Sequence, residues 1–338
     1  MSVNDLWKYC TAEQEKEMLR SFRLLDGMSV KEEKYLQCLY AVSNHTQQHY
    51  HTSYVEKKSG GVRSLLVPDT LLGTIQKNIL RHVLGGFSAA DAAKAYKPHV
   101  SAVDNALPHV GAKQIVKLDI KDFFDNITYP LVYQYAFPGE YFPPAVRTML
   151  TAFCCCHDYL PQGAPTSPAV SNLVMKSFDE YMTQWCRERG IRYTRYCDDM
   201  IFSGEFEGKE LINKVRSYLL AMGFQLNNKK TRILKGSCQK IVTGIVVNEF
   251  PQNSRDYRRK LRAEIYYCRR YGVQEHLKRT GKKEWITASG PDAKGYIRHL
   301  LGKTEYVLQV NPKDEYFLEV REYLKKELNS VTSQSLQV

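Results

Sequence analysis

Three aspartates carry the strongest chemical signal in this chain of 338 residues. Asp119 follows the β-prone run Ile115-Val116-Lys117-Leu118, while Asp198 and Asp199 lie between two further β-prone runs, Ile191 to Tyr196 and Met200 to Ser203. The pattern predicts a strand ending in a carboxylate next to a hairpin with two carboxylates at its tip. Three carboxylates held that close cannot all stay ionised without counter-charge, so the cluster calls for cations. Magnesium suits it, because a hard ion takes carboxylate oxygens together with substrate phosphates. Two such ions, about 3.5–4 Å apart, activate an attacking hydroxyl and stabilise a leaving oxygen. Taken alone, an Asp-Asp pair reads as a solvated turn. The joint pattern says more, because the flanking β-runs predict the architecture that would bring the three side chains together.

The elements that must position these residues are legible in outline. Residues 1–50 carry helical spacing. Tyr54 to Lys58 and Val62 to Val67 flank Ser59-Gly60-Gly61 and read as a hairpin closed by Pro68, carrying Lys57, Lys58 and Arg63. A helix is expected from Asp69 to Leu84, with Leu72, Ile75, Ile79, Leu80 and Val83 apolar. Gln239 to Asn248 reads as a strand or strand pair interrupted by Gly244. Asp256 to Tyr271 reads as a helix with Tyr257, Leu261, Ile265 and Cys268 on one face and arginines elsewhere. A boundary is expected near Pro251, and fraying from Ser330 onward.

Composition narrows the partners. Lys plus Arg number 48 against 36 Asp plus Glu, a net charge of +12. Such an excess favours a polyanion, since positive potential draws in phosphate backbones and releases their counterions. A surface selected for solubility is the plainer account. Nine cysteines in an odd, scattered arrangement, with Cys154, Cys155 and Cys156 adjacent, read as reduced thiols rather than a disulfide framework. The triple cysteine reads as buried packing. Neither a signal peptide nor an apolar run of the ~18 residues that span a bilayer is evident. The expectation is a soluble, cytoplasmic protein without a membrane partner.

The motifs then become specific. Tyr196-Cys197-Asp198-Asp199 resembles the Tyr-x-Asp-Asp box of reverse transcriptases, set between strands as in that family. Leu118-Asp119-Ile120-Lys121-Asp122-Phe123-Phe124 resembles the first palm aspartate with its following aromatic. Leu160 to Pro168, continuing to Ser171-Asn172-Leu173, resembles the fingers-to-palm motif of the bacterial branch. The resemblance runs from about residue 50 to 250. It implies an α+β right-hand polymerase fold: an N-terminal helical extension (1–50), fingers (51–114 and 138–175), a palm with an antiparallel sheet (115–137 and 176–250) and a helical thumb (251–338). It assigns catalysis and metal binding to Asp119, Asp198 and Asp199, with the Ile120 carbonyl as a further ligand of two Mg2+ ions. Phe124 would sit under the incoming sugar and reject a 2′-hydroxyl. Gln162 would line the same pocket, and Lys57, Lys58 and Arg63 would hold the triphosphate of a dNTP. One lysine of Lys229-Lys230 would assist the pyrophosphate, or the two form a plain surface pair. Cys197 stands where bacterial relatives often have Ala.

Two short segments point within the family. Asn105-Ala106-Leu107-Pro108-His109 and Val242-Thr243-Gly244 resemble signatures of bacterial retron reverse transcriptases. That resemblance implies a cognate non-coding RNA as partner, priming from a guanosine 2′-hydroxyl and a single-stranded DNA product that stays attached to the RNA. It also implies an effector protein encoded nearby and a role in defence against phage. RNA contacts would come from Asn105, His109, Val242, Thr243, Gly244, Arg258, Arg259 and Arg262. Between Arg255 and Lys303 there are 14 Lys or Arg against 5 Asp or Glu, with Tyr266, Tyr267, Tyr271 and Trp285 interleaved, as stacking on unpaired bases favours. A packed helical domain with a solvated basic face is the bland alternative. Three other readings compete. A non-retron or group II intron-like reverse transcriptase would share the palm, and a palm-fold enzyme such as a nucleotide cyclase would leave Phe124 and the 160–173 motif without purpose. A catalytically silent RNA-binding scaffold would have no reason to keep the carboxylates.

Overall fold

The computed structural model describes residues 6–56, 60–287 and 290–334. The chain forms two compact units. One comprises 1–101 and 114–233, the other 102–113 and 234–338.

In the first unit, helices α1 (Ala12–Ser21) and α2 (Tyr35–Asn44) form the expected helical lead-in. Thr11 and Gln14 close the start of α1 by a reciprocal capping box. Strands β1 (Tyr50–Glu56) and β2 (Val62–Pro68) pair antiparallel from Tyr50 opposite Pro68 to Glu56 opposite Val62, a longer hairpin than the sequence suggests. Gly60 and Gly61, both near φ +85°, supply the backbone conformation its turn needs. Asp69 caps α3 (Thr70–Asn78), which passes into a π turn over Ile79–Val83 instead of continuing as regular helix to Leu84.

A four-stranded sheet, ordered β4-β5-β3-β6, carries the site. Its members are β3 (Gln114–Asp119), β4 (Arg192–Tyr196), β5 (Asp199–Gly204) and β6 (Arg232–Lys235), and the chain leaves the unit within β6. Strand β3 is covered on both faces, which explains why its sequence is a continuous apolar run and not an alternating one. Helices α4 (Tyr129–Tyr135), α5 (Pro144–Cys154), α6 (Ser167–Val174), α7 (Lys176–Arg187) and α8 (Gly208–Ala221) complete the unit. Val116, Phe153, Phe178 and Phe202, all fully buried, belong to one core. Cys154, Cys155 and Cys156 are buried free thiols at the end of α5, as packing would have them.

The second unit has its own core, centred on Leu261, Ile265, Tyr296 and Phe317. A three-stranded sheet of β7 (Ile241–Val242), β8 (Ile245–Val246) and β9 (Gln252–Asn253) precedes helices α9 (Arg255–Tyr271) and α10 (Val273–Thr280). The small hairpin β10 (Ile286–Thr287) with β11 (Gly290–Pro291) leads to α11 (Ala293–Val310) and α12 (Glu315–Gln334). Leu261, Ile265 and Cys268 form the buried face of α9, as its periodicity predicts. The two compact units part between Ile233 and Leu234. The reason is local bonding: Thr243 Oγ1 donates to the Ala102 carbonyl at 2.7 Å and the Gly111 N–H to the Val247 carbonyl at 3.0 Å, which ties the β7–β8 hairpin to 102–113. Helix α12 runs to Gln334, further than the expected fraying point at Ser330. Among the described residues, no helix is long and apolar enough to cross a membrane.

Candidate active site

Antiparallel pairing of β3 with β5 sets Asp119 directly opposite Asp199. Residues so paired point to the same face of a sheet. Strands β4 and β5 pair from Arg192 opposite Ser203 to Tyr196 opposite Asp199, so Cys197 and Asp198 form the two-residue tip between them. Cys197 adopts φ +61°, a conformation that such tight turns demand and that side chains other than glycine adopt at a cost. The Ile120 N–H donates to the Asp198 carbonyl at 3.1 Å and locks the tip against the end of β3. The joint pattern expected of the three aspartates is therefore present.

They open onto a cavity of about 540 Å³ that Arg63, Phe124, Gln162 and Lys230 also line. The residues come from five separate stretches of chain, and backbone bonds join several of them. The Leu66 N–H donates to the Gln162 carbonyl at 2.7 Å, which sets the β2 strand against the loop before α6. Gly163 follows at φ +118°, and a Cβ there would come within 2.8 Å of the Leu66 carbonyl oxygen. Phe124 packs edge-on against Phe123, with ring centroids 5.4 Å apart. Ile120 is buried. Lys57 and Lys58 lie outside the described residues.

Electrostatics mark the cluster as a place for cations. Burial and the neighbouring charges of Asp198 and Asp119 push the Asp199 carboxyl up to about 6, against weaker opposition from Lys117 and Lys230. The Asp119 carboxyl is also raised, by burial first, although its Oδ2 accepts from Lys230 Nζ at 2.6 Å. That bond in turn raises the Lys230 ammonium. The other oxygen, Asp119 Oδ1, is buried and has no hydrogen-bond partner. An orphaned carboxylate oxygen facing two more carboxylates fits a hard divalent ion. Among the described residues no three His, Cys, Asp or Glu side chains close around one point as a ready cage. Magnesium does not require one, since it is usually held by one or two carboxylates plus substrate phosphates.

Several contributors were not apparent as site residues in the sequence. Arg195, inside β4, is completely buried and makes three bonds to the Asp179 carboxylate, the shortest at 2.6 Å. Its Nη1 donates to the Cys197 carbonyl at 2.9 Å and its Nη2 to Asn172 Oδ1 at 3.1 Å. Asn172 donates to the Ala95 carbonyl at 2.9 Å. A buried guanidinium thus braces the carboxylate-bearing tip from behind, and Tyr193 supports it by donating to Asp179 at 2.7 Å. The available signal was an arginine in a short strand where both neighbours are β-formers. Tyr96, at φ +60°, donates to Cys197 Sγ at 3.3 Å and lines the cavity. Burial and Asp198 push the Cys197 thiol up to about 12, so it stays protonated. Of the Lys229-Lys230 pair, Lys230 is the one at the carboxylates.

The residues assigned to RNA belong to the second unit. Asn105 and His109 are fully buried. Val242-Thr243-Gly244 is the turn of the β7–β8 hairpin: Val242 pairs with Ile245, and Thr243 and Gly244 have φ +45° and +82°. Two positive φ angles are what a type I′ turn requires. Arg259 and Arg262 are exposed on α9. Arg258 is half-buried, bonded to Gln252 at 2.6 Å.

The chain is similar to several known proteins. Residues 55–287 match the family described as reverse transcriptase (RNA-dependent DNA polymerase). The chain is 32% identical over 238 residues to the retron Ec86 reverse transcriptase of Escherichia coli, covering 68% of this chain and 73% of that protein. It is 31% identical over 287 residues to the retron Mx65 reverse transcriptase of Myxococcus xanthus, covering 79% of this chain and 62% of the relative's length. A solved telomerase from Candida albicans with a fragment of telomeric RNA overlays with a TM-score of 0.47 at 10% identity, over 88% of this chain and 67% of that one.

Proposed function

This chain belongs to the retron reverse transcriptases, RNA-directed DNA polymerases of the right-hand fold, and we propose that it copies part of a cognate structured RNA into single-stranded DNA that remains joined to that RNA. The observation that carries this reading is the register of β3, β4 and β5, which brings Asp119, Asp198 and Asp199 to one cavity with Phe124 and Gln162. Two Mg2+ ions bound there would supply a polarised primer hydroxyl and charge neutralisation at the leaving phosphate. Asp119, Asp198 and Asp199 would hold the cations, with the Ile120 carbonyl as a further ligand. Arg63 meets the triphosphate of the incoming dNTP in bidentate geometry, and Lys57 adds a point charge. Phe124 lies beneath the sugar and excludes a 2′-hydroxyl. Lys230, released from Asp119, places a mobile positive charge at the phosphates.

In this reading residues 51–114 and 138–175 are fingers, 115–137 and 176–250 the palm and 251–338 the thumb. The first nucleotide is joined to the 2′-hydroxyl of a guanosine in the RNA. Arg259 and Arg262 grip RNA phosphates, and Arg258 assists them. Asn105, His109, Val242, Thr243 and Gly244 shape the surface on which the RNA rests. The complex acts in the cytoplasm with an effector protein encoded nearby, in defence against phage. The test is to express the chain with the DNA that flanks its gene and to run the co-purifying nucleic acid on a denaturing gel. A discrete DNA band that shortens after RNase, and that Asp198→Asn abolishes, is expected. RNA alone, or DNA of random length, would overturn the priming mode.

A further inference from the structure

Helices α9, α10 and α11 enclose a second cavity, about 390 Å³ in volume, none of whose lining residues enters the proposed nucleotidyl transfer. That size is typical of clefts that hold small ligands. Tyr257, Leu261 and Tyr267 of α9 form its apolar walls. Tyr267 is 44% exposed, and its ring lies parallel to those of Tyr271 and His276, with centroids 6.2 and 6.0 Å away. The buried end is polar: His276, only 3% exposed, sits beside Glu264, which also accepts bonds from Lys282 and from the Tyr296 hydroxyl. At the exposed end stand the cations Lys260 and Lys303.

Flat apolar walls, an anchored hydrogen-bonding floor and a cationic mouth suit one kind of ligand. A nucleotide offers a base with two apolar faces and a polar edge, and a phosphate on its sugar. The local excess of 14 basic over 5 acidic residues between Arg255 and Lys303 brings polyanions to this unit. The geometry points to this cavity as a receptor for one unpaired base of bound RNA, its face against the partly exposed Tyr267, its edge toward the polar floor at His276, and its phosphates at Lys260 and Lys303. The inference rests on the reading of the chain as an RNA-binding polymerase and adds to it a site at which unpaired RNA is sensed.

The experiment uses the full chain and two fluorescein-labelled probes, a heptamer of uridine and a fully abasic ribose-phosphate heptamer of equal charge. Wild type should bind the uridine probe about tenfold more tightly, the range that base–aromatic stacking supplies. Ala263→Trp, which fills the cavity, should cut that preference to about threefold or less while the abasic probe binds as before. Should Ala263→Trp lose its circular dichroism spectrum, Tyr267→Ala at the partly exposed ring gives the same readout. Lys303→Ala should weaken both probes alike. A full preference for uridine in folded Ala263→Trp or Tyr267→Ala would overturn the receptor. Primer extension on a preformed RNA–DNA duplex, run in parallel, keeps the two readings apart. Its absence in wild type would sink the polymerase assignment and leave the binding comparison intact.

Discussion

At the scale of single residues, the site depends on side chains that never meet substrate. Arg195 is the clearest case. Its guanidinium and the Asp179 carboxylate are both wholly buried, and the pair holds the Cys197 carbonyl and Asn172 in place. Removing one partner strands the other charge without water, so Arg195→Met should cost about 3–5 kcal/mol in a denaturant titration. Replacing both charges with apolar residues should return much of that stability. A loss below about 1 kcal/mol for the single variant would show that the brace is dispensable. Asp199 makes a prediction about pH. Its folded-state value near 6 exceeds the ordinary 3.8, so the folded protein keeps this proton while the unfolded chain releases it. Stability must then fall as pH rises between those values, with the full penalty present above about 6. In chelator, Asp199→Asn should match wild type near about pH 4 and exceed it by about 1 kcal/mol near about pH 7, the modest size reflecting the side chain's access to solvent. A constant difference across that range would remove the crowding of carboxylates from the account.

At the scale of elements, the junction of β2 with the loop before α6 deserves a test because it joins distant stretches at the nucleotide cavity. Gly163 is required there twice over, by its φ of +118° and by the Leu66 carbonyl that a Cβ would meet at 2.8 Å. Gly163→Ala should push the loop off β2 at a local cost of about 1–3 kcal/mol, which predicts a rise of about tenfold in the KM for deoxynucleotide. A KM within about twofold of wild type would mean that Gln162 finds its place without the junction. The β7–β8 hairpin shows the same logic without chemistry. Thr243 is β-branched and adopts φ +45°, and its hydroxyl bond to Ala102 offsets part of that strain. What reads as a family signature in one dimension is a tight turn tied to the 102–113 segment in three.

At the scale of the whole molecule, a net charge of +12 sets the terms of binding. Phosphate contacts release counterions, and for single strands each contributes about 0.7 to the slope of log affinity against log salt. Arg259 and Arg262 are exposed on α9, Arg259 paired with Asp256 and Arg262 with its guanidinium over the Tyr316 ring, so the double substitution to Ala should weaken RNA binding and lower that slope by about 1–1.5. Arg258, tied to Gln252, should act on the fold of the unit more than on the slope. An unchanged slope in the double variant would remove the exposed face of α9 from the RNA interface.

Much of the candidate site was legible in one dimension because the chemistry proposed for it needs fixed residue types at the ends of regular elements. Asp119 closes an apolar run, and Asp198 and Asp199 lie between two β-runs; alternation and turn chemistry are local properties that sequence carries directly. The hairpin of β1 and β2 and the buried face of α9 were readable for the same reason. The remainder depended on contacts between segments far apart in sequence. Nothing in the order of residues joins Arg195 to Asp179 and Cys197, Lys230 to Asp119, or Gln162 to Leu66. Nor does it reveal that 102–113 packs with the chain after Leu234 and not with the chain around it. Local chemistry therefore determined which residues make up the candidate site, and tertiary packing alone decided what holds them, because a buried charge or an orphaned carbonyl takes its partner from whatever the fold brings near.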